Sequence, residues 1–113
     1  MQRLAEPDDS LVSRVLNEVG FEDRLIGYRV RRRAGPIRAS MYSFEEVVHL
    51  LNDGFPCLNL QELAEWIGTV IKDAELSARI KEAIELHSND RDRMLSIRIL
   101  MGQRLCQCKK AAY

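Results

Sequence analysis

Long apolar runs are missing from this sequence. No stretch reaches the roughly 18 consecutive apolar residues that a bilayer span requires, and no basic-then-apolar leader opens it. A membrane partner and a secreted precursor are therefore not expected. Cysteine is scarce and odd in number, at Cys57, Cys106 and Cys108. Together with the missing leader, that points to a reducing, cytoplasmic setting. Cys106 and Cys108 form a C-x-C pair, which a helix would aim about 200° apart. A structural zinc site wants four ligands in close pairs, and His49, His87 and Cys57 lie far away in sequence. No metal site is expected.

Enzyme signatures are equally absent. The chain contains no G-x-S-x-G, H-E-x-x-H, G-x-x-x-x-G-K or G-x-G-x-x-G. Glu45 precedes His49 by four residues, a spacing that shares a helix face and suits a proton relay. The same spacing is the ordinary mark of a surface pair. The glutamates of the middle segment lack the Glu-x-x-His pattern of a carboxylate-bridged metal bundle. Neither catalysis nor a cofactor is implied. Repeats, low-complexity tracts and long linkers are also missing.

What is present is a 113-residue chain with 46% hydrophobic and 30% charged residues. It is long enough to hide about two-thirds of its unfolded surface in one core. Seventeen basic and seventeen acidic residues cancel, but unevenly. Residues 1–28 carry net −3, residues 29–42 net +5, residues 43–90 net −7 and residues 91–113 net +5. The plainer reading is that basic segments pack beside the acidic middle and neutralise it. The sharper reading is a basic face for nucleic acid or an acidic partner. Thirteen of the seventeen basic residues are arginine, whose rigid fork suits fixed pairing with carboxylate or phosphate.

Helix signals dominate. Asp9 or Ser10 can cap a first helix carrying Leu11, Val12, Val15, Leu16 and Val19, with Gly20 as its stop. Ser43 and Glu46 form a capping box ahead of Phe44, Val47, Val48 and Leu51, and Asp53-Gly54 ends that helix before Pro56. Asn59 and Glu62 repeat the box ahead of Leu60, Leu63, Ala64, Ile67 and Ile71. Asp73 can cap a helix carrying Leu76, Ile80, Ala83, Ile84 and His87. Ser88, Asn89 and Asp90 then open a last helix running to about Lys109, where Lys109 and Lys110 suit the negative end of the dipole. Trp66, the one tryptophan, falls at the edge of its helix's apolar stripe, where it either finishes the core or anchors a partner.

Residues 25–42 break the helical period. Ile26, Tyr28 and Val30 alternate with Gly27, Arg29 and Arg31, and Ile37, Ala39 and Met41 alternate again after Ala34-Gly35-Pro36. A short β-hairpin with its apolar edge on the helices fits these residues; so does a basic loop. Leu63-Ala64, Gly68 and the helix from Asp73 resemble the start of a helix-turn-helix. The helix that would enter the groove sets Glu75, Glu82 and Glu85 against Arg79 and Lys81, a net negative charge that phosphates repel. If nucleic acid binds, Arg29, Arg31, Arg32, Arg33 and Arg38, with Tyr28, are the better contacts, gripping backbone without reading bases.

On a helical wheel of the last helix, Met94, Ile97, Met101, Leu105 and Cys108 share an arc of about 80°. Leu95, Ile99, Gly102 and Cys106 cluster about 100–120° away, and Leu100 stands apart. Arg91 and Arg98 lie between the clusters; Arg93 and Arg104 border the far side, and where two chains pair both borders can meet acids of the middle helices. Two apolar faces need two partners. Either the helix lies centrally in its own bundle, or the second face packs against another copy of the chain. The expectation is a mainly α single domain over 1–113, a bundle of four to five helices with or without the hairpin. Its expected role is that of a non-catalytic interaction or regulatory module, acting as a homodimer or with a protein partner. The runner-up is a nucleic-acid-associated protein using the Arg29–Arg38 segment.

Overall fold

A computed structural model describes residues 3–31, 35–52 and 56–112. It is mainly helical, with five α-helices and one small antiparallel sheet. In chain order come α1 (Asp9–Leu16), β1 (Leu25–Arg31), β2 (Gly35–Met41), α2 (Phe44–Leu51), β3 (Pro56–Cys57), α3 (Leu60–Trp66), α4 (Ala74–Leu86) and α5 (Asp90–Ala112).

Five side-chain caps set the helix starts. Asp8, one residue ahead of the expected cap, accepts the Leu11 amide at 2.8 Å. That placement leaves Asp9 in the first turn, where its charge suits the dipole. The Ser43 hydroxyl accepts the Glu46 amide at 3.2 Å, but Glu46 reaches one residue further back than a capping box, to the Tyr42 amide. Asn59 and Asp73 accept the Glu62 and Leu76 amides. Asn89 does the same for Asp92, and α5 continues past Lys109 to Ala112.

Helix ends depart more from the sequence reading. α1 stops at Leu16 rather than Gly20, because Asn17 turns extended and its side chain takes the Ser13 carbonyl at 2.7 Å. Gly20 instead precedes a 3₁₀ turn over Phe21–Asp23. The helix expected to run through Ile71 widens into a π-type segment over Ile67–Ile71. Lys72 closes it in the left-handed region at φ 64°, with the Asp73 amide bonded back to the Ile67 carbonyl. Gly68 permits the tight α3–α4 approach: a Cβ there would sit 3.0 Å from the Ser77 hydroxyl oxygen. That hydroxyl donates to the Ala64 carbonyl at 2.8 Å.

The hairpin forms, and β3 adds a third strand that two residues could not announce; the order is β2-β1-β3. Its facing differs from the sequence reading. Leu25 and Met41, directly opposite each other, are buried. Gly27 is buried opposite Ala39, whereas Tyr28 is 43% exposed. The inward set in β1 is thus Leu25 and Gly27, not Ile26 and Tyr28. The glycine leaves room for the α2 helix: a Cβ on Gly27 would stand 3.0 Å from Leu50 and 3.2 Å from Leu58. Ala34 of the expected turn, and Asp53-Gly54, lie outside the described residues.

The buried cluster draws on every helix, with Val15, Phe44, Leu50, Leu63, Ile67, Ile80, Ile97 and Met101 all at 0% exposure. α5 packs against α1, α2 and α4, so one side of it is the floor of the core. Among the described residues, no helix is long and apolar enough to cross a membrane.

Candidate interaction face

The side of α5 that meets the core is Ile97, Leu100, Met101, Arg104, Gln107 and Cys108. At 100° per residue these span about 120°. Their centre lies about 60° from the centre of the Met94–Cys108 arc expected from sequence. Leu100, which stands apart on the wheel, is 1% exposed, and Met94 and Leu105 sit at the rim.

The rotation is set by a polar group. Arg104, expected at a border, is itself 1% exposed. Its Nε donates to Asp73 Oδ2 at 2.8 Å, Nη2 to Glu75 Oε1 at 2.8 Å, and Nη1 to the Ala5 carbonyl and to Gln107 Oε1. Asp73 is 3% exposed, so the pair is buried on both sides. Gln107 donates onward to the Leu4 carbonyl at 2.9 Å, while the Ala5 amide donates to Glu75. The sequence reading gives this arginine acids of the middle helices where two chains pair; the structure pairs it with them inside one chain, and buried. The available signal was the i, i+4 relation of Leu100 to Arg104: counting Leu100 in the stripe puts Arg104 inside it.

Turning the core side to Leu100–Arg104 leaves Leu95, Ile99, Gly102 and Cys106 on the reverse of the helix. Leu95 is 52% and Ile99 49% exposed, and Cys106 is exposed. A Cβ added at Gly102 would meet nothing within 4 Å. The reading of α5 as central in its own bundle, gripped on both sides, is therefore overturned: the described elements cover one side only. The borders of the free face are held in place. Arg98 Nε donates to Asn52 Oδ1 at 3.1 Å, and Lys109 Nζ to Glu45 Oε1 at 3.0 Å. The Lys109 ammonium, by hydrogen bond and charge, holds the Glu45 carboxyl below its ordinary value. His49 is a further neighbour of Glu45, at 3.8 Å, with its side chain 73% exposed. This is a surface cluster, and the shallow hollow that Lys109 borders is lined by α5 residues, Gly102, Leu105, Cys106 and Lys110.

The basic segment is only partly described. Arg29 and Arg31 fall in β1, opposite Ile37 and Gly35, while Arg32 and Arg33 lie outside the described residues. Arg38 is exposed and directly opposite Tyr28 on the outer side of the sheet. α4 presents exposed Glu82 and Glu85, and Lys81 is engaged with Glu65 at 3.2 Å. The helix that would have entered a DNA groove thus keeps its acidic surface.

All three thiols are unpaired, and the C-x-C pair is split, Cys106 outward and Cys108 buried. One site cannot collect both. Among the described residues no three His, Cys, Asp or Glu side chains come together to hold a metal ion. Burial raises the Cys108 thiol above its ordinary value, outweighing the attraction of Arg104. A thiol-directed alkylating reagent at pH 8 and low protein concentration should therefore label Cys57 and Cys106 and spare Cys108, read by peptide mass spectrometry. Because the folded pKa is the higher one, Cys108 favours the folded state below its unfolded pKa. That contribution is lost as pH rises from about 9 through the folded value. Melting temperature should fall there, and Cys108→Ala should blunt the fall.

No protein-family model, curated protein sequence or solved structure matches this chain.

Proposed function

We propose that this protein is a non-catalytic interaction module that self-associates through the outer face of α5, with Leu95, Ile99, Gly102 and Cys106 as the docking surface. The observation that carries it is the pair of large aliphatic side chains, Leu95 and Ile99, left half-exposed one turn apart on a helix whose other side is fully packed. Their alignment with Gly102 and Cys106 makes one apolar line, the pattern that marks a contact surface more than scattered apolar residues do. The glycine adds support. In a helix interior it costs roughly 0.5–1 kcal/mol relative to alanine, and the chain's own packing has no use for the space it leaves. A reducing cytoplasmic setting belongs to the same proposal, supported by the three unpaired thiols.

Light scattering at high concentration should give an apparent mass near twice 13.0 kDa. Ile99→Asp buries an unpaired charge in the pairing, costing about 3 kcal/mol or more, which weakens association roughly 100-fold. The variant should scatter as a monomer with an unaltered circular dichroism spectrum, because Ile99 is 49% exposed and lies outside the buried cluster. A wild type that stays monomeric at high concentration removes the proposal.

One observation favours a second reading, nucleic-acid binding through Arg29–Arg38: exposed Tyr28 lies across from exposed Arg38 on the sheet. An aromatic beside an arginine can stack a base and grip its phosphate. That reading requires affinity at low salt that falls steeply with added salt and is lost when Arg31, Arg32 and Arg33 are neutralised. Absence of binding at low salt eliminates it.

A further inference from the structure

Resting on the self-association proposed above, we infer that the two copies pair antiparallel along α5, in a register fixed by an acid at one end of the seam and a base at the other. The free face follows a heptad rule. Leu95, Ile99, Gly102 and Cys106 are spaced four, three and four residues apart, the alternation that keeps a line of contacts on one side of paired helices. Extending it by three residues each way reaches Asp92 and Lys109, and both are exposed. The seam is thus acid, four small or apolar residues, then base, over about 26 Å at 1.5 Å per residue, with exposed Arg91 and Lys110 flanking its two ends.

Direction follows from those ends. Parallel pairing sets Asp92 against Asp92 and Lys109 against Lys109, two like-charge contacts, and aligns the helix dipoles unfavourably. Antiparallel pairing about a two-fold axis between residues 100 and 101 sets Asp92 against the partner's Lys109 twice over; it also levels Arg91 with the partner's Lys110, but parallel pairing makes every one of these end contacts like-charged. It also places Leu95 against the partner's Cys106 and Ile99 against the partner's Gly102. The bulkiest side chain at the centre then meets the position where no side chain stands, and where a helix surface without a Cβ admits close approach. Opposed dipoles add to the preference. Lys109 already donates to Glu45, but its ammonium has three donors, so the partner's Asp92 joins that contact without breaking it.

Thiol cross-linking reads the register. In a Cys57→Ser background, the antiparallel pair holds the two Cys106 residues about 16 Å apart along the seam, eleven residues at 1.5 Å each, beyond disulfide reach. Aerial oxidation catalysed by copper-phenanthroline should leave this background uncrosslinked. Leu95→Cys in the same background should give a covalent dimer whose linked peptide joins position 95 to Cys106 of the other copy. Position 95 is half-exposed, and an unaltered circular dichroism spectrum checks the fold. Independently, Asp92→Lys should weaken association about tenfold, from two reversed end contacts, and adding Lys109→Asp should restore it. A Cys106–Cys106 link in the background overturns the inference in favour of parallel pairing. So does a scattering dimer with neither the 95–106 link nor the charge-swap rescue; self-association then stands and only the geometry falls. A monomeric wild type removes both.

Discussion

Replacing Arg104 with methionine should cost about 3–5 kcal/mol, the usual penalty for leaving one member of a buried ion pair without the other. Arg104 and Asp73 are 1% and 3% exposed. Methionine fills much of the same volume but leaves the Asp73 carboxylate in the interior with the Leu76 amide as its remaining donor in the network. The Ala5 carbonyl loses its 2.7 Å partner as well. Against a total stability of about 5–15 kcal/mol for a domain of this size, the variant should approach the edge of folding. Urea denaturation followed by circular dichroism measures the loss. Asp73→Asn keeps a cap acceptor for α4 but strips the arginine of its buried counter-charge, so it should cost a comparable amount. The double variant should cost less than the two together, by about 0.5–3 kcal/mol, because both changes break one network. A single-variant loss below 1 kcal/mol, or strict additivity, refutes this account.

Trp66→Ala should be nearly as damaging, at about 3–5 kcal/mol for a large aromatic removed from a packed site. The ring is 6% exposed, and its Nε1 donates to the Asp23 carbonyl at 2.6 Å. It therefore ties α3 to the 3₁₀ turn that delivers the chain into β1. Trp66→Phe separates the two contributions. It keeps most of the packing and loses the hydrogen bond, so about 0.5–1.5 kcal/mol should go. Equal losses in the two variants would show that the hydrogen bond, not the burial, holds the turn.

The helices were legible because their starts are written in side chains. Ser43, Asn59 and Asp73 each cap the helix that sequence assigned to them, since a short polar side chain beside an apolar periodic run has few other uses. Helix ends were less legible: Asn17 and Lys72 end their segments by backbone conformations that no apolar pattern announces. The hairpin's period showed, but its facing in β1 did not. A glycine counts as nothing in an alternation, yet Gly27 is the inward position because Leu50 and Leu58 need its missing side chain. In α5 the wheel misjudged the core direction for a related reason. It ranked residues by polarity, and the largest fully buried side chain there is an arginine whose carboxylate partner lies 31 residues earlier. The second apolar cluster stands where sequence put it, and the structure turns it from a side of the helix into its reverse.

The Arg104 network also constrains how the chain is made. Its donors meet acceptors 99 and 103 residues away, at Ala5 and Leu4. During synthesis Leu4 and Ala5 are made about a hundred residues before Gln107 and Arg104, and Asp73 31 residues before Arg104. Until those residues emerge, α4 carries an interior carboxylate with no cation, and the first residues have nothing to lie against. Closing so long a loop is entropically slow. The clasp thus forms late, and a chain truncated before Arg104 should stay open to proteases however complete its first four helices are.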